Sequence, residues 1–442
     1  MSREDPCGCS RNLPSRARSQ PPTRHRYRLV EAHYADVRDG WEECFEVRYG
    51  FWRTFTDKAV GAYLDCGILD HGFARVRCGA CRAEFLVPFS CKGRGLCPSC
   101  AAKRAAALAA FLREEVLADV GHAQWVFSIP KMLRPYFLYH RPLLGRLCRA
   151  AYDTAREMIG AASLDGELPV PGMIAVVQTF GDDLCWHPHV HALVTRGGWD
   201  CAGQWVPVPF VDGEAAALVF RHKVFAFLQR EGLLSEERTR LLLSWRHSGF
   251  SVHTSVTVPP DDRDGLERLA RYLLRPPVSL ERLKVGEHAL AIAYAARIRL
   301  AREPHAVSEA VDPKDFLARV VMHIPEPRRH VIRYYGAYSS VVRARRRHMA
   351  PAVAGPPCTP EPPAAGTPAD PELRALRRRW AELIRRIYEV DPLVCPRCGG
   401  AMRIIAFITE PRVISAILKH LAAKGLDARS PPGPNQRHPA VA

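Results

Sequence analysis

His187-Pro188-His189-Val190-His191 is the stretch that decides how this chain folds and what it can bind. As a strand it puts three imidazoles on one face, because side chains at i, i+2 and i+4 share a side. The segment before it, Met173-Ile-Ala-Val-Val-Gln-Thr-Phe180, is apolar and β-branched. Gly181-Asp182-Asp183 supplies a turn and Leu184 to Val194 runs back, a pattern that predicts a hairpin. A row of histidines fills a core poorly, but neutral imidazole is a common metal ligand, and two ligands on one rigid strand need little ordering. The alternative is a polar strand face carrying unrelated histidines.

The chain has 442 residues, too many for one ordinary core, so two or three domains are expected. An apolar fraction of 47%, with eight Trp and 17 Phe, excludes a chain disordered throughout. Formal net charge is +17, and only nine of the 63 basic residues are Lys. Guanidinium forks pair with phosphate in a bidentate way, so a polyanionic partner is the first expectation. A GC-rich genome would also raise the Arg content. Met1 to Arg26 is polar and lacks the apolar core of a signal peptide, and no run of about 18 apolar residues predicts a membrane span. Fifteen Cys without a secretory signal point to a reducing compartment, with metal rather than disulfide uses. A cytoplasmic protein is expected.

Six segments follow from composition. Residues 1–26 read as a disordered tail, and 27–120 as a helix-rich zinc-binding domain around a cysteine cluster. Residues 121–350 alternate apolar strands (Ala123–Ile129, Ile174–Phe180, Val190–Thr195, Ser251–Val258) with helical stretches. Residues 351–372 are a Pro/Ala-rich linker that cannot bury enough apolar surface to fold alone. Residues 373–427 form a C-terminal module, with an Arg-rich helix over Leu373 to Val390 and then Cys395-Pro-Arg-Cys398; residues 428–442 read as disordered.

Cys78-Gly-Ala-Cys81 and Cys97-Pro-Ser-Cys100 lie fifteen residues apart. Two such knuckles predict one structural Zn²⁺ held by Cys78, Cys81, Cys97 and Cys100, since four thiolates complete a tetrahedron and leave no open position. Cys66 and Cys91 are spare: either could replace a knuckle Cys or be buried. Basic residues crowd the cluster, and Arg94, Lys103 and Arg104 are candidates for phosphate contacts. Cys395 and Cys398 are half of a second zinc site, needing His420, His323, a spare Cys or another protomer to complete it.

Asp261 to Arg275 predicts a helix stopped by Pro276-Pro277. Leu266, Leu269, Ala270, Leu273 and Leu274 form its apolar arc, and Glu267, Arg268, Arg271 and Arg275 face the other way. Tyr272 falls on the seam, where its ring can pack while its hydroxyl reaches out beside arginines. A phenol must be activated to attack, which metal or guanidinium charge would favour. An ordinary boundary tyrosine fits this position equally well.

Strand histidines, a tyrosine on a later helix and an N-terminal zinc module together resemble the HUH single-strand nucleases, and more narrowly the rolling-circle insertion-sequence transposases of the IS91 type. The stretches that carry the likeness are Cys-Gly-Ile-Leu-Asp-His-Gly-Phe-Ala-Arg (66–75), Pro-Phe-Ser-Cys-Lys (88–92), Leu-Cys-Pro-Ser-Cys (96–100) and Val-Phe-Ser-Ile-Pro (126–130). His-Pro-His-Val-His (187–191), Arg-Tyr-Leu-Leu-Arg-Pro-Pro (271–277) and His-Val-Ile-Arg-Tyr-Tyr-Gly (330–336) follow in order.

The resemblance implies an α+β fold: an HUH-type antiparallel sheet with flanking helices, plus the two cysteine modules. It implies that His189 and His191 bind Mg²⁺ or Mn²⁺ while Tyr272 attacks the scissile phosphate, leaving a 5′-phosphotyrosine and a free 3′-OH. The implied partner is DNA, as single strands or hairpins at the ends of a mobile element, and Arg271 and Arg275 become candidate DNA contacts. His187 is the expected third metal ligand; Gln178, Asp182 and Asp183 are the alternatives. Two-tyrosine members carry a second Tyr four residues away, where this chain has Arg268 and Pro276, so it resembles a one-tyrosine subgroup. Tyr334 and Tyr338 are the other nearby pair with that spacing. A relaxase or replication initiator would share this chemistry, and a zinc-dependent DNA-binding protein without activity would share the modules.

Overall fold

The computed structural model describes residues 21–93, 95–163, 168–208, 210–278, 282–285, 292–300, 303–349, 394–395 and 397–423. The chain divides into two compact units. One holds Asp65–Cys91 together with the described residues beyond Pro392; the other holds His25–Leu64 and the described residues from Lys92 to Met349.

The larger unit is built on five antiparallel strands: β3 (His122–Ser128), β4 (Gly172–Phe180), β5 (Trp186–Thr195), β6 (Ser251–Val258) and β7 (Ile332–Gly336). Their spatial order is β7-β4-β5-β3-β6, so the predicted β4–β5 hairpin lies at the centre. Alternation then sorts the side chains. Phe127 of β3 faces helix α2 (Gly213–Arg230) through Phe220, ring centroids 5.0 Å apart. The opposite face carries Ile174, Val176 and Leu193, which pack against α1 (Pro98–Phe111) and α3 (Arg263–Leu273).

Helix α3 has the start and stop its sequence encodes. The Asp262 carboxylate accepts from the Gly265 N–H at 2.7 Å, satisfying one orphan donor of the first turn. Pro276 and Pro277 prevent continuation. Leu266, Ala270 and Leu273 are buried, and the two leucines contribute roughly 1.5–3 kcal/mol each by leaving water. That stripe fixes the rotation of the helix and leaves Tyr272 at its edge.

The smaller unit is a second antiparallel sheet, in which β1 (Phe73–Cys78) lies between β2 (Glu84–Pro88) and β8 (Met402–Ile408). Helix α4 (Pro411–Ala423) buries Ile414 against Phe73 and Leu86. This departs from the predicted segmentation. Residues 402–423 are no separate C-terminal module but complete the β1 sheet, because β8 finds its hydrogen-bonding partner in β1. Residues 25–64 and 92–120, expected within the zinc domain, belong to the unit of the five-stranded sheet. The predicted linker 351–372, the helix over 373–390 and the tail 428–442 lie outside the described residues, as does the tail 1–26 up to residue 20. Among the described residues no helix is long and apolar enough to cross a membrane.

Candidate functional site

Strand β5 carries His187, His189 and His191 on the face that α3 covers. His189 Nε2 and His191 Nε2 converge to 3.1 Å. Adjacent corners of an octahedral site with bonds of about 2.1 Å stand about 3.0 Å apart, so this pair fits an octahedral divalent ion. Burial lowers the pKa of His187 and His189 to about 4 and that of His191 to about 3; neighbouring positive groups add to the lowering at His187 and His191. All three rings are therefore neutral near pH 7, the form that binds metal. His189 Nδ1 lies 2.7 Å from the carbonyl of His187; a proton held there leaves its Nε2 lone pair pointing inward. On β3, the Gln124 side-chain amide stands at His191 Nδ1, its Nε2 at 3.2 Å; a half-turn of that amide presents Oε1 to a proton on Nδ1, which would hold the ring as the His187 carbonyl holds His189. Nothing in the sequence beyond a glutamine inside an apolar strand marked Gln124 for this place.

Among the described residues no third His, Cys, Asp or Glu brings a ligand atom within 4.8 Å of both imidazole nitrogens. His187, the expected third ligand, does not join the pair. Strand residues rise about 3.3 Å each, so positions i and i+4 stand about 13 Å apart along the backbone. The His187 ring is 5.0 Å from the His189 ring and is a neighbour of that ring alone in the row. Asp182 is held by Arg282 at 3.1 Å, and the Asp183 carboxylate accepts from the Cys185 N–H at 3.1 Å. Gln178 stands in register with His189, is 4% exposed, and directs its amide at the carbonyls of Leu273 (3.4 Å) and Tyr272 (3.5 Å).

Tyr272 meets this pair. Its ring packs edge-on against His191 with centroids 5.4 Å apart, and it is 40% exposed. The Arg275 guanidinium lies over the same ring at 5.6 Å, one turn on. Tyr338 is fully buried, with its hydroxyl 2.7 Å from His122 Nε2, and Tyr334 is half-buried against the core. Among the described tyrosines that the sequence offers as nucleophiles, Tyr272 is the one that combines exposure with contact to an imidazole of the converging pair. Arg271 is paired with Glu267 at 2.7 Å; Arg275 lies 3.8 Å from Asp182. Lys103 is half-buried and Arg104 exposed on α1, and Arg94 lies outside the described residues.

The cysteines assemble differently from the sequence expectation. Cys78 and Cys81 converge with Cys395 and Cys398, all four sulfurs within 4.8 Å of one another. Cys78 Sγ is 3.5 Å from Cys398 Sγ and Cys81 Sγ 3.6 Å from Cys395 Sγ. The edge of a tetrahedron with Zn–S bonds of about 2.3 Å is about 3.8 Å, so the four thiols fit zinc. Cys97 and Cys100 are no part of this tetrad; they sit buried at the start of α1. The cause is the β1–β8 pairing, which sets Cys78 opposite Met402 and brings the late knuckle onto the early one. Cys395 N–H donates to Gly400 O at 2.8 Å, closing that knuckle's turn. The Cys81 backbone N–H helps lower the Cys78 thiol to about 6, towards the thiolate a metal requires. In the same unit the Cys91 N–H donates to Cys66 Sγ at 3.3 Å.

An HUH-type antiparallel sheet with an imidazole pair, flanking helices and a cysteine tetrad with zinc spacing defines the class as an α+β protein with candidate metal-binding side chains in each unit. Comparison with known proteins narrows it. Residues 36–129 match a family model described as "Transposase zinc-binding domain" of the IS91 type. The description "Putative transposase" is carried both by the family model matching residues 172–346 and by the y4qJ protein of Sinorhizobium fredii (strain NBRC 101917 / NGR234). The latter is 25% identical over 398 residues, 84% of this chain and 94% of that one. The transposase for insertion sequence element IS801 of Pseudomonas savastanoi pv. phaseolicola is 29% identical over 384 residues, 81% of this chain and 86% of that one. No solved structure matches. The chain belongs to the IS91-type family of insertion-sequence transposases.

Proposed function

We propose that this transposase cuts and rejoins single-stranded DNA at the ends of its element with Tyr272 as nucleophile. The observation that carries the reading is the convergence of His189 and His191, with Tyr272 stacked edge-on against the second ring. His189 and His191 would hold Mg²⁺ or Mn²⁺, and such an ion supplies positive charge to a non-bridging phosphate oxygen. The Tyr272 oxygen attacks phosphorus in line, the P–O bond to the 3′ oxygen breaks, and the products are a 5′-phosphotyrosine and a 3′-hydroxyl. Reversal by another 3′-hydroxyl rejoins the strand and frees the phenol. Arg275, over the phenol ring, would pair with the phosphate that the phenol attacks. Arg271, Arg104, Lys103 and Arg94 would follow the backbone of the bound strand.

Cys78, Cys81, Cys395 and Cys398 would hold one structural zinc. A zinc tetrad needs its four cysteines reduced, which suits action in the reducing cytoplasm.

The test is incubation of the full chain with Mn²⁺ and labelled single-stranded DNA from the flanks of its own gene. An adduct that survives SDS is expected, lost in Tyr272→Phe and in His189→Ala with binding retained. An undiminished adduct in Tyr272→Phe overturns the assignment.

A further inference from the structure

Beside the tyrosine helix lies a cavity of about 170 Å³ that the reaction above does not use. Its walls come from β4 and from the chain leaving α3: Val176 and Phe180 on one side, Leu273, Leu274 and Pro277 on the other. Val176, Phe180 and Leu273 are each at most 5% exposed, so the walls are rigid and apolar. Its rim is cationic, with Arg104, Arg275, Arg329 and Arg333. The acid that lines it, Glu326, is bonded to Arg329 at 3.0 Å, so positive charge predominates. Two buried polar side chains line the cavity: His323, whose ring is bonded to Thr179 and to the Leu184 carbonyl, and Gln178, the register partner of His189.

We propose that this cavity seats one unstacked nucleobase of the strand being cut, next to the phosphate that Tyr272 attacks. The inference deepens the single-strand reading and rests on it. Three features select the occupant. Apolar walls around a cavity of 150 Å³ suffice to hold benzene, so 170 Å³ takes one aromatic ring system. The Phe180 ring, with Arg275 over it at 5.6 Å, gives a base an apolar edge to pack against and a guanidinium plane to stack on, while Gln178 Oε1 can accept from a base edge. The guanidinium rim suits the phosphates on either side of that base. Arg275 lies over both the Phe180 and Tyr272 rings at 5.6 Å, so a base against Phe180 places an adjoining phosphate near the phenol. Paired DNA keeps its bases stacked and cannot fill such a seat, which gives the enzyme a physical reason to require single strands.

The experiment uses full-length Tyr272→Phe protein, which binds without cutting, and a labelled single strand from the flank of its gene. A tetrahydrofuran abasic nucleotide is moved through the strand one position at a time. Losing one stacked base is worth about 1–3 kcal/mol, so an abasic site at one position should weaken binding about 5- to 150-fold while its neighbours change little. Leu274→Trp, which fills the cavity, should bind the intact and abasic strands equally. Arg333→Ala should weaken both by the same factor and flatten the salt dependence, showing that the rim meets phosphate and that the seat reads the base independently of it. Tight binding of the intact strand with no position sensitive to base removal overturns the base seat and leaves the nuclease reading standing. Failure to bind any single strand overturns that reading, and the seat with it.

Discussion

Tyr338→Phe separates the two tyrosines that the sequence offers as nucleophiles. The Tyr338 ring is fully buried, stacked with His122 at a centroid distance of 6.0 Å and beside Trp199 at 6.3 Å. Its hydroxyl lies 2.7 Å from His122 Nε2 and accepts the Ala118 N–H at 3.2 Å. Replacing it with Phe keeps the packing and deprives two buried groups of their partner. An orphaned buried donor or acceptor costs about 1–3 kcal/mol, so with some relaxation the loss is roughly 2–4 kcal/mol. For a unit of this size that lowers the melting temperature by roughly 4–12 °C. Covalent capture of DNA should persist, because no phosphate reaches a hydroxyl enclosed by the core. Tyr272→Phe should show the reverse: a melting temperature within about 2 °C of the parent, since a 40%-exposed phenol loses only an exposed hydroxyl, and no adduct. Melting curves and SDS gels on the same preparations read both effects. A Tyr338→Phe protein that melts normally and captures no DNA, while Tyr272→Phe still does, refutes the assignment.

Three further outcomes are expected. Burial lowers the pKa of His122 from its ordinary 6.5 to about 4, so below pH 6.5 the unfolded chain takes up a proton that the fold refuses. Stability is full above that pH and falls as pH drops towards 4, by about 3 kcal/mol from His122 alone; a urea midpoint constant from pH 7 to 4.5 contradicts this. Gln124→Leu removes the partner of His191 Nδ1 and should weaken Mn²⁺ binding about 10- to 100-fold by calorimetry, with Gln124→Glu restoring it; an unchanged Kd denies Gln124 a positioning role. The parent should carry zinc by atomic absorption, and Cys398→Ser should lose one equivalent per chain; a variant that retains the parent's full zinc content breaks the tetrad assignment.

How far each feature was legible depends on whether local periodicity or long-range pairing creates it. The β4–β5 hairpin and the Tyr272 helix were readable because alternation and the 3.6-residue repeat are written in consecutive residues, and capping and proline mark the helix ends. Alternation specifies a face, and no more than a face. It placed His187 with His189 and His191, but convergence on one ion requires reach as well as side, and i to i+4 on a strand is too long. Gln124 was silent because its partner belongs to a strand more than sixty residues away, paired through Gln124 opposite Leu193. The cysteine knuckles show the same limit at greater range. Spacing favoured Cys97 and Cys100 as partners for Cys78 and Cys81, since a short loop closes at low entropic cost. The loop to Cys395 is far longer, yet loop-closure cost grows only with the logarithm of length. Six residues of β8 paired in register along β1, with Met402 and Cys395 packed beside Cys78, outweigh that small difference. The half-site at Cys395-Pro-Arg-Cys398 had already signalled that ligands were missing. What it could not signal was which strand would carry them in, because that choice is made by the pairing of a sheet edge and not by any spacing between cysteines.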